Sequence, residues 1–330
     1  MADTTLCRKL TEAVGAEDSP LIQKIFETLV NDDEAKVLLA AAPPATTSEI
    51  SQKTGFPEGT IKTVLESLFN RGLIFKTKKG EELKYYRVKN IFQMHDATVL
   101  TPGVSRKVLD LWKAYMEKEW PGYGRKITDS LPASMLRVIP VNEAIEPESR
   151  ILAYDDVMKL VENAKTLSVT KCSCRVIDGA CGKPLEVCIQ VDRAAEYSLE
   201  RGTGRALSKS EAIEILKMCE KEGLVHVADN RQVLGHVICN CCKDCCLNWS
   251  VMTGPKKWVV PSRFTAVVDP DLCTGCETCA ERCFFDAIAV NDDLAVVSAE
   301  KCMGCGVCTI CCPTEALRLK EVRAADFVPA

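Results

Sequence analysis

The segment Ile238–Trp249 reads ICNCCKDCCLNW and holds five cysteines within eight residues. Thiols this dense serve a disulfide ladder, a zinc site or an iron–sulfur site. A second group stands upstream, Cys172, Cys174, Cys181 and Cys188 in VTKCSCRVIDGACGKPLEVCIQ, and a third lies between Cys273 and Cys312. Of 20 cysteines, all but Cys7 follow residue 170, so this chemistry belongs to the C-terminal half. The start, MADTTLCRKLTEAV, lacks the basic region and apolar core of a secretory signal. The most apolar run, residues 37–45, is far too short to span a bilayer and contains Pro43-Pro44. A cytoplasmic location without membrane insertion is therefore expected, and thiols kept reduced there favour metal over disulfides. With 42 Lys+Arg against 46 Asp+Glu, the chain as a whole offers no basic footprint for nucleic acid or anionic lipid.

An internal repeat organises the third group. Shifted by 29 residues, VVDPDLCTGCETCAERCFFDAIAV (267–290) falls on VVSAEKCMGCGVCTICCPTEALRL (296–319). Each half reads C-x2-C-x2-C-x3-C, and roughly the last sixty residues resemble the bacterial two-cluster ferredoxin. That resemblance implies two [4Fe–4S] clusters with crossed ligation. The first takes Cys273, Cys276, Cys279 and Cys312; the second takes Cys302, Cys305, Cys308 and Cys283. Cys312-Pro313 matches the ferredoxin motif, whereas Cys283-Phe284 lacks its proline. Cys311 aligns with Arg282 and reads as a spare thiol. A pair of structural zinc sites does not account for an eight-cysteine tandem repeat with this spacing.

The middle cysteines are less directly readable. Thr166–Thr170 alternates like a strand running into Cys172, and Gly179, Gly182 and Pro184 mark loops whose thiols are free to converge. Ser208–Glu211 is a capping box opening a helix with Ile215, Leu216 and Cys219 on its apolar side, so Cys219 reads as a small core residue. Nine candidates remain: Cys172, Cys174, Cys181, Cys188, Cys239, Cys241, Cys242, Cys245 and Cys246. The last five cannot all serve one cube, because neighbours in an extended run point to opposite faces. Nine candidates for eight positions fit two further [4Fe–4S] clusters; one further cluster, or a four-cysteine zinc site beside structural thiols, are the alternatives. The string KCSCR…CGKPLEVC…YSLERGTGRALSKSEAIEIL…EGLVH…ICNCCKDCC before VVDPDLCTGCETC resembles cytosolic dicluster-ferredoxin proteins of anaerobic bacteria and archaea. The similarity runs from about residue 20 to the end and is most specific across 171–315. It implies electron transfer in anaerobic energy metabolism.

Weaker signals are Arg201-Gly-Thr-Gly-Arg205, which reads as a turn more readily than a phosphate loop, and His236, the histidine nearest in sequence to the CNCC run. No Ser–His–Asp order, H-E-x-x-H or Walker pattern is present, and no catalytic residue is assigned.

The N-terminal third is of another kind. Ser19-Pro20 caps a helix; Thr46–Glu49 is a capping box for a second that ends at Thr54-Gly55; Pro57 starts a third closed by Gly72. LIFKTKKGEELKYYRV then reads as a hairpin turning near Lys79-Gly80. This order is that of a winged helix-turn-helix, and the stretch resembles the multiple-antibiotic-resistance-regulator class. The segment Pro57–Arg71, in the place of a recognition helix, carries only Lys62 and Arg71 as cations, and residues 1–100 hold 13 Lys+Arg and 14 Asp+Glu. Lys76, Lys78, Lys79, Lys84, Arg87 and Lys89 make the hairpin basic, but a balanced domain is a poor duplex binder. Protein docking is the expected use, and DNA is not an expected partner. Between the halves, Ser105–Trp120 reads as a helix followed by a loop WPGYGRK, Leu136–Val141 and Ile151–Ala153 as short strands, and Asp155–Ala164 as a helix.

The chain therefore reads as a multidomain α+β protein. A winged-helix-like domain over 1–90 and a connector over 91–165 precede a cysteine-rich iron–sulfur domain over 166–260 and a dicluster ferredoxin domain over 261–330. The expected role is electron transfer through two to four [4Fe–4S] clusters, to or from a partner oxidoreductase, rather than stand-alone catalysis. The alternatives are a redox-sensing winged-helix regulator and an enzyme with substrate at a middle cluster.

Overall fold

Helix-capping signals in the first hundred residues set where its helices begin. The computed structural model describes residues 3–145, 151–233, 235–252 and 256–330, without the side chains of Lys79 and Asn142. It divides into two compact units, Met1–Tyr123 with Val176–Asp178, and Gly124–Arg175 with Gly179–Ala330.

In the first unit, α1 (Thr4–Ala13), α2 (Pro20–Leu29) and α3 (Asp32–Ala40) precede α4 (Thr47–Thr54) and α5 (Glu58–Asn70). Ser19 caps α2 through its hydroxyl, Thr46 and Glu49 close the capping box of α4, and Gly55 ends α4 in the left-handed conformation. The strands β1 (Ile74–Lys79) and β2 (Glu82–Arg87) form an antiparallel wing. Tyr85 of that wing exchanges both backbone hydrogen bonds with Ala45, pinning the wing to the entry of α4. Ile22, Ile25, Phe26, Leu38, Ile50, Ile61, Leu65 and Leu68 are buried beneath it. This is a winged helix-turn-helix in the expected order. Behind it stand α6 (Ile91–Val99) and α7 (Arg106–Lys118), where the buried Trp112 donates its Nε1–H to Thr98 Oγ1 at 3.1 Å.

Two readings of the connector are corrected. The WPGYGRK segment is no loop but the start of α8 (Trp120–Ser130). Pro121 sits in the first turn, where its missing N–H is not needed, and Trp120 is buried, which outweighs the helix-breaking composition. Ile151–Ala153 is not a strand; Leu152 and Asp155 instead close a turn through two hydrogen bonds. Asp155 then forms a fully buried ion pair with Arg263 at 2.5 Å.

The second unit is built on a seven-stranded sheet. Its strands are β3 (Leu136–Ile139), β4 (Leu167–Lys171), β5 (Glu186–Val191), β6 (Gly204–Ala206), β7 (Val225–Asp229), β8 (Val237–Cys241) and β9 (Val259–Val260), in the order β6-β4-β5-β8-β7-β3-β9. Helices α9 (Val157–Asn163), α10 (Ser173–Asp178), α11 (Arg193–Glu200) and α12 (Lys209–Lys221) connect them. Ile189, Val191 and Ile238 pack with Leu160, Val161, Ala212 and Leu216, so α9 and α12 cover one face. Because β5 runs antiparallel to both β4 and β8, the C-terminal ends of β4 and β8 meet the N-terminal end of β5 at one edge.

The 29-residue repeat is visible in three dimensions. β10 (Phe264–Val268), α13 (Thr278–Arg282) and β11 (Ile288–Asn291) recur as β12 (Leu294–Val297), α14 (Val307–Ile310) and β13 (Leu317–Glu321). β10 pairs with β13 and β11 with β12, so each two-stranded sheet joins one strand from each repeat. Gly275 and Gly304 hold equivalent positions at φ +64° and +63°. A Cβ there would lie 2.7 Å from the Asp293 backbone or 2.2 Å from the Phe264 carbonyl, positions themselves related by the repeat.

Candidate metal centres

The ferredoxin-like repeat forms two partly open pockets lined by cysteines. Cys273, Cys276 and Cys279 line the first together with Cys312; Cys302, Cys305 and Cys308 line the second together with Cys283. Each set therefore takes three thiols from one half and one from the other. Backbone amides follow the same symmetry: Ala287 N–H donates to Cys283 Sγ at 3.2 Å and Ala316 N–H to Cys312 Sγ at 3.3 Å. Ala266 N–H reaches Cys302 Sγ at 3.4 Å and Ala295 N–H reaches Cys273 Sγ at 3.5 Å. Such donors stabilise thiolate charge, and four thiols around one cavity are the donor set of a [4Fe–4S] cluster. Cys276 is the exposed thiol of the first set; hydrogen bonding with the Thr278 hydroxyl and amide draws its pKa below the ordinary thiol value. Cys311 lines neither cavity and donates to the carbonyls of Cys308 and Thr278.

The nine middle thiols gather at the shared edge of β4, β5 and β8 and divide by sheet face. Cys181, Cys242 and Cys245 form a nest with all sulfurs within 4.8 Å of one another. It lies on the α12 side, packed with Val187, Cys219 and Leu224, and Cys172 leans against it. On the other face, Cys239 and Cys241 share one side of β8, and the pairing of Ile189 with Ile238 brings Cys188 alongside Cys239. Cys241 and Cys246 thiols are 3.3 Å apart, and Cys174 hydrogen-bonds Cys246. Cys172 also hydrogen-bonds Cys174 and so stands between the groups.

Thiols packed this closely cannot ionise independently. Hydrogen bonding with Cys174 and Cys241 pulls Cys246 down to about 6, while contact with Cys239 and Cys246, together with burial, pushes Cys241 well up. Bound metal cations would remove that conflict by stabilising the thiolates together.

Several neighbours were not legible in the sequence. Cys219 is a buried core thiol, as its helix position indicates, but it packs directly on the nest; burial brings it up to about 12, with the Arg175 charge opposing the rise. Trp249 donates its Nε1–H to the Cys242 carbonyl at 3.0 Å, and its ring meets Phe284 and Phe285 at centroid distances of 5.0 and 5.4 Å. Phe284 stands where the other repeat has Pro313, so packing against the middle cysteine segment occupies the position the motif assigns to proline. His236 is exposed at the surface. The buried histidine of the second unit is His226, whose Nδ1 lies 2.5 Å from Asn240 Oδ1 and whose Nε2 lies 3.2 Å from Glu220 Oε1. Its sequence neighbours are apolar, and only the β7–β8 register brings it beside the cysteine strand. The Arg201–Arg205 segment is a turn leading into β6; the amides of Gly202 and Thr203 are already bonded to Leu199 and Ser198 carbonyls.

On the winged helix, the basic residues are largely engaged. Arg71 turns inward to the Glu34 carboxylate and the Leu29 carbonyl. Lys76 lies 3.7 Å over the Phe69 ring, Lys84 pairs with Glu82 at 3.1 Å, and Arg87 donates to the Ala13 and Val88 carbonyls. Lys89 covers the Tyr86 ring at 4.4 Å, whereas Lys62 and Lys78 are exposed; the Lys79 side chain lies outside the described residues.

Two family models match the chain. Residues 26–91 match the sugar-specific transcriptional regulator TrmB, where the sequence resemblance had pointed to the multiple-antibiotic-resistance-regulator class, and residues 266–289 match the 4Fe-4S binding domain. No curated protein and no solved structure matches. The chain thus combines an N-terminal winged-helix-type domain with a C-terminal 4Fe–4S-binding domain. Among the described residues, no helix is long and apolar enough to cross a membrane.

Proposed function

We propose that this chain is a cytoplasmic iron–sulfur electron-transfer protein of anaerobic metabolism, relaying electrons to or from a partner oxidoreductase. The observation that carries the reading is the pair of cavities, each lined by three thiols of one repeat and the fourth of the other. The first [4Fe–4S] cluster is assigned to Cys273, Cys276, Cys279 and Cys312, the second to Cys302, Cys305, Cys308 and Cys283. Two more are assigned to the middle thiols, one to the nest of Cys181, Cys242 and Cys245 with Cys172, the other to the opposite face. Bound there, each cluster supplies one-electron transfer. The chain's own contribution is to hold the thiolates, donate N–H groups to them, and leave Cys276 exposed where a redox partner can approach. Anaerobic purification with iron and sulfide quantification tests the inventory: about sixteen iron per chain are expected on four cubes of four. About eight would remove the middle clusters and leave a two-cluster carrier.

A second reading, a redox-sensing transcription regulator, is favoured by the match of residues 26–91 to TrmB. With most wing cations engaged, we expect duplex binding by the full-length protein to be weak, independent of sequence and steeply lost with added salt. A footprint on one promoter that survives physiological salt and changes when the clusters are oxidised would make regulation the main role.

A further inference from the structure

Arg175 follows Cys174 at the start of α10 and is only 1% exposed. Its guanidinium donates to the Pro184 carbonyl at 2.6 Å and to the Asn240 carbonyl at 2.6 Å. Both partners are neutral, and among the described residues the side chain makes no carboxylate salt bridge. Its Nε–H is buried without any partner. The two carbonyls it grips lie on the segments that carry Cys181 and Cys242, and Cys172 is the N-cap residue of its own helix, so the guanidinium is fixed among the strands and loops of the thiol nest. A buried cation is costly unless an anion compensates it. Neutral thiols cannot do this, and four separate thiolates would repel one another at these distances. A metal centre held by four thiolates meets both requirements, because the cation it contains keeps the sulfurs together while the assembly stays negative.

We propose that Arg175 is the fixed counter-charge of an anionic metal centre held by Cys172, Cys181, Cys242 and Cys245, and that it raises that centre's reduction potential. The inference rests on the iron–sulfur reading of the middle cysteines. On reduction, one electron from an external donor such as dithionite enters the centre; no bond is made or broken and no proton is required. The centre becomes more negative by one charge, and a guanidinium fixed beside it favours that state. Charge and hydrogen bonding near the sulfurs are levers by which a protein sets a cluster's potential.

Arg175→Gln removes the charge and Arg175→Lys keeps it, while both disturb the ties to Pro184 and Asn240. Full-length wild-type protein and both variants would be compared by iron and zinc content and by dithionite titration followed with low-temperature EPR. In Arg175→Gln, either the nest's centre is lost, or its reduced-to-oxidised ratio at fixed potential falls about tenfold, a shift of about 59 mV for one electron. Arg175→Lys should retain the centre with a potential close to wild type, and the two ferredoxin-type signals should not move in either variant. Equal loss in both variants would assign Arg175 a purely structural role through its carbonyl bonds and overturn the proposal. So would an Arg175→Gln protein with full iron and an unshifted potential. Metal-free middle thiols in wild type would remove the reading beneath it, and iron analysis separates that failure from the others.

Discussion

We expect Cys312→Ser to abolish the cluster proposed for Cys273, Cys276, Cys279 and Cys312, although among the proposed ligands Cys308 is the nearest to Cys312 in sequence. A serine hydroxyl ionises far less readily than a thiol and is a poorer ligand for iron than the thiolate it replaces. The first cavity then has only three thiols, while the second keeps Cys302, Cys305, Cys308 and Cys283. Iron should fall by about four atoms per chain. In EPR of the reduced variant, one ferredoxin-type signal should vanish and the spin coupling between the two clusters with it. Cys311→Ser, at a thiol that lines neither cavity, should leave iron content and spectrum unchanged. Loss of the Cys302–Cys308 cluster from the Cys312 variant, with the first cluster intact, would show that ligation follows sequence and that the crossed assignment is wrong.

Removing iron by anaerobic chelation should unfold residues 261–330 while the winged helix stays folded. The ferredoxin-like part consists of two-stranded sheets and of helices of five and four residues, α13 and α14. Neither element is stable on its own. Its core is partly sulfur: Cys279, Cys302 and Cys308 are buried among Phe264, Ala266, Ala287, Leu317 and Leu319, with Cys273, Cys283 and Cys312 packed against them. Without metal, those thiols line empty cavities, and the two repeats are left joined only by their paired strands and a small apolar core. Hydrogen exchange should report loss of protection across β10 to β13 and retained protection across α2 to α5. Chelated protein with native protection in β10–β13 would mean that the apolar contacts alone hold the repeat.

The grouping of the repeat's thiols around two pockets was legible because three thiols of each set are local, wound within seven residues, and the fourth comes from a repeat with the same spacing. The winged helix was legible for a similar reason. Its capping residues, Ser19, Thr46 with Glu49, and Gly55, act on helix ends only a few residues away. WPGYGRK misled because burial of Trp120 is a tertiary fact that local composition does not contain. The middle cysteines are the clearest case of the same limit. Sequence established that adjacent thiols in CNCC must diverge, since strand side chains alternate. It did not say which distant thiols each would meet. Only the pairing of β5 with β8 and the packing of α12 joined Cys242 and Cys245 to Cys181 and left Cys241 and Cys246 with Cys174. The same register fixed Arg175 among the strands and loops of the thiol nest and buried His226 against Asn240. Local spacing determines ligands wound on one loop; ligands and charges contributed by separate strands are decided by sheet register, which a single sequence does not encode in any local pattern.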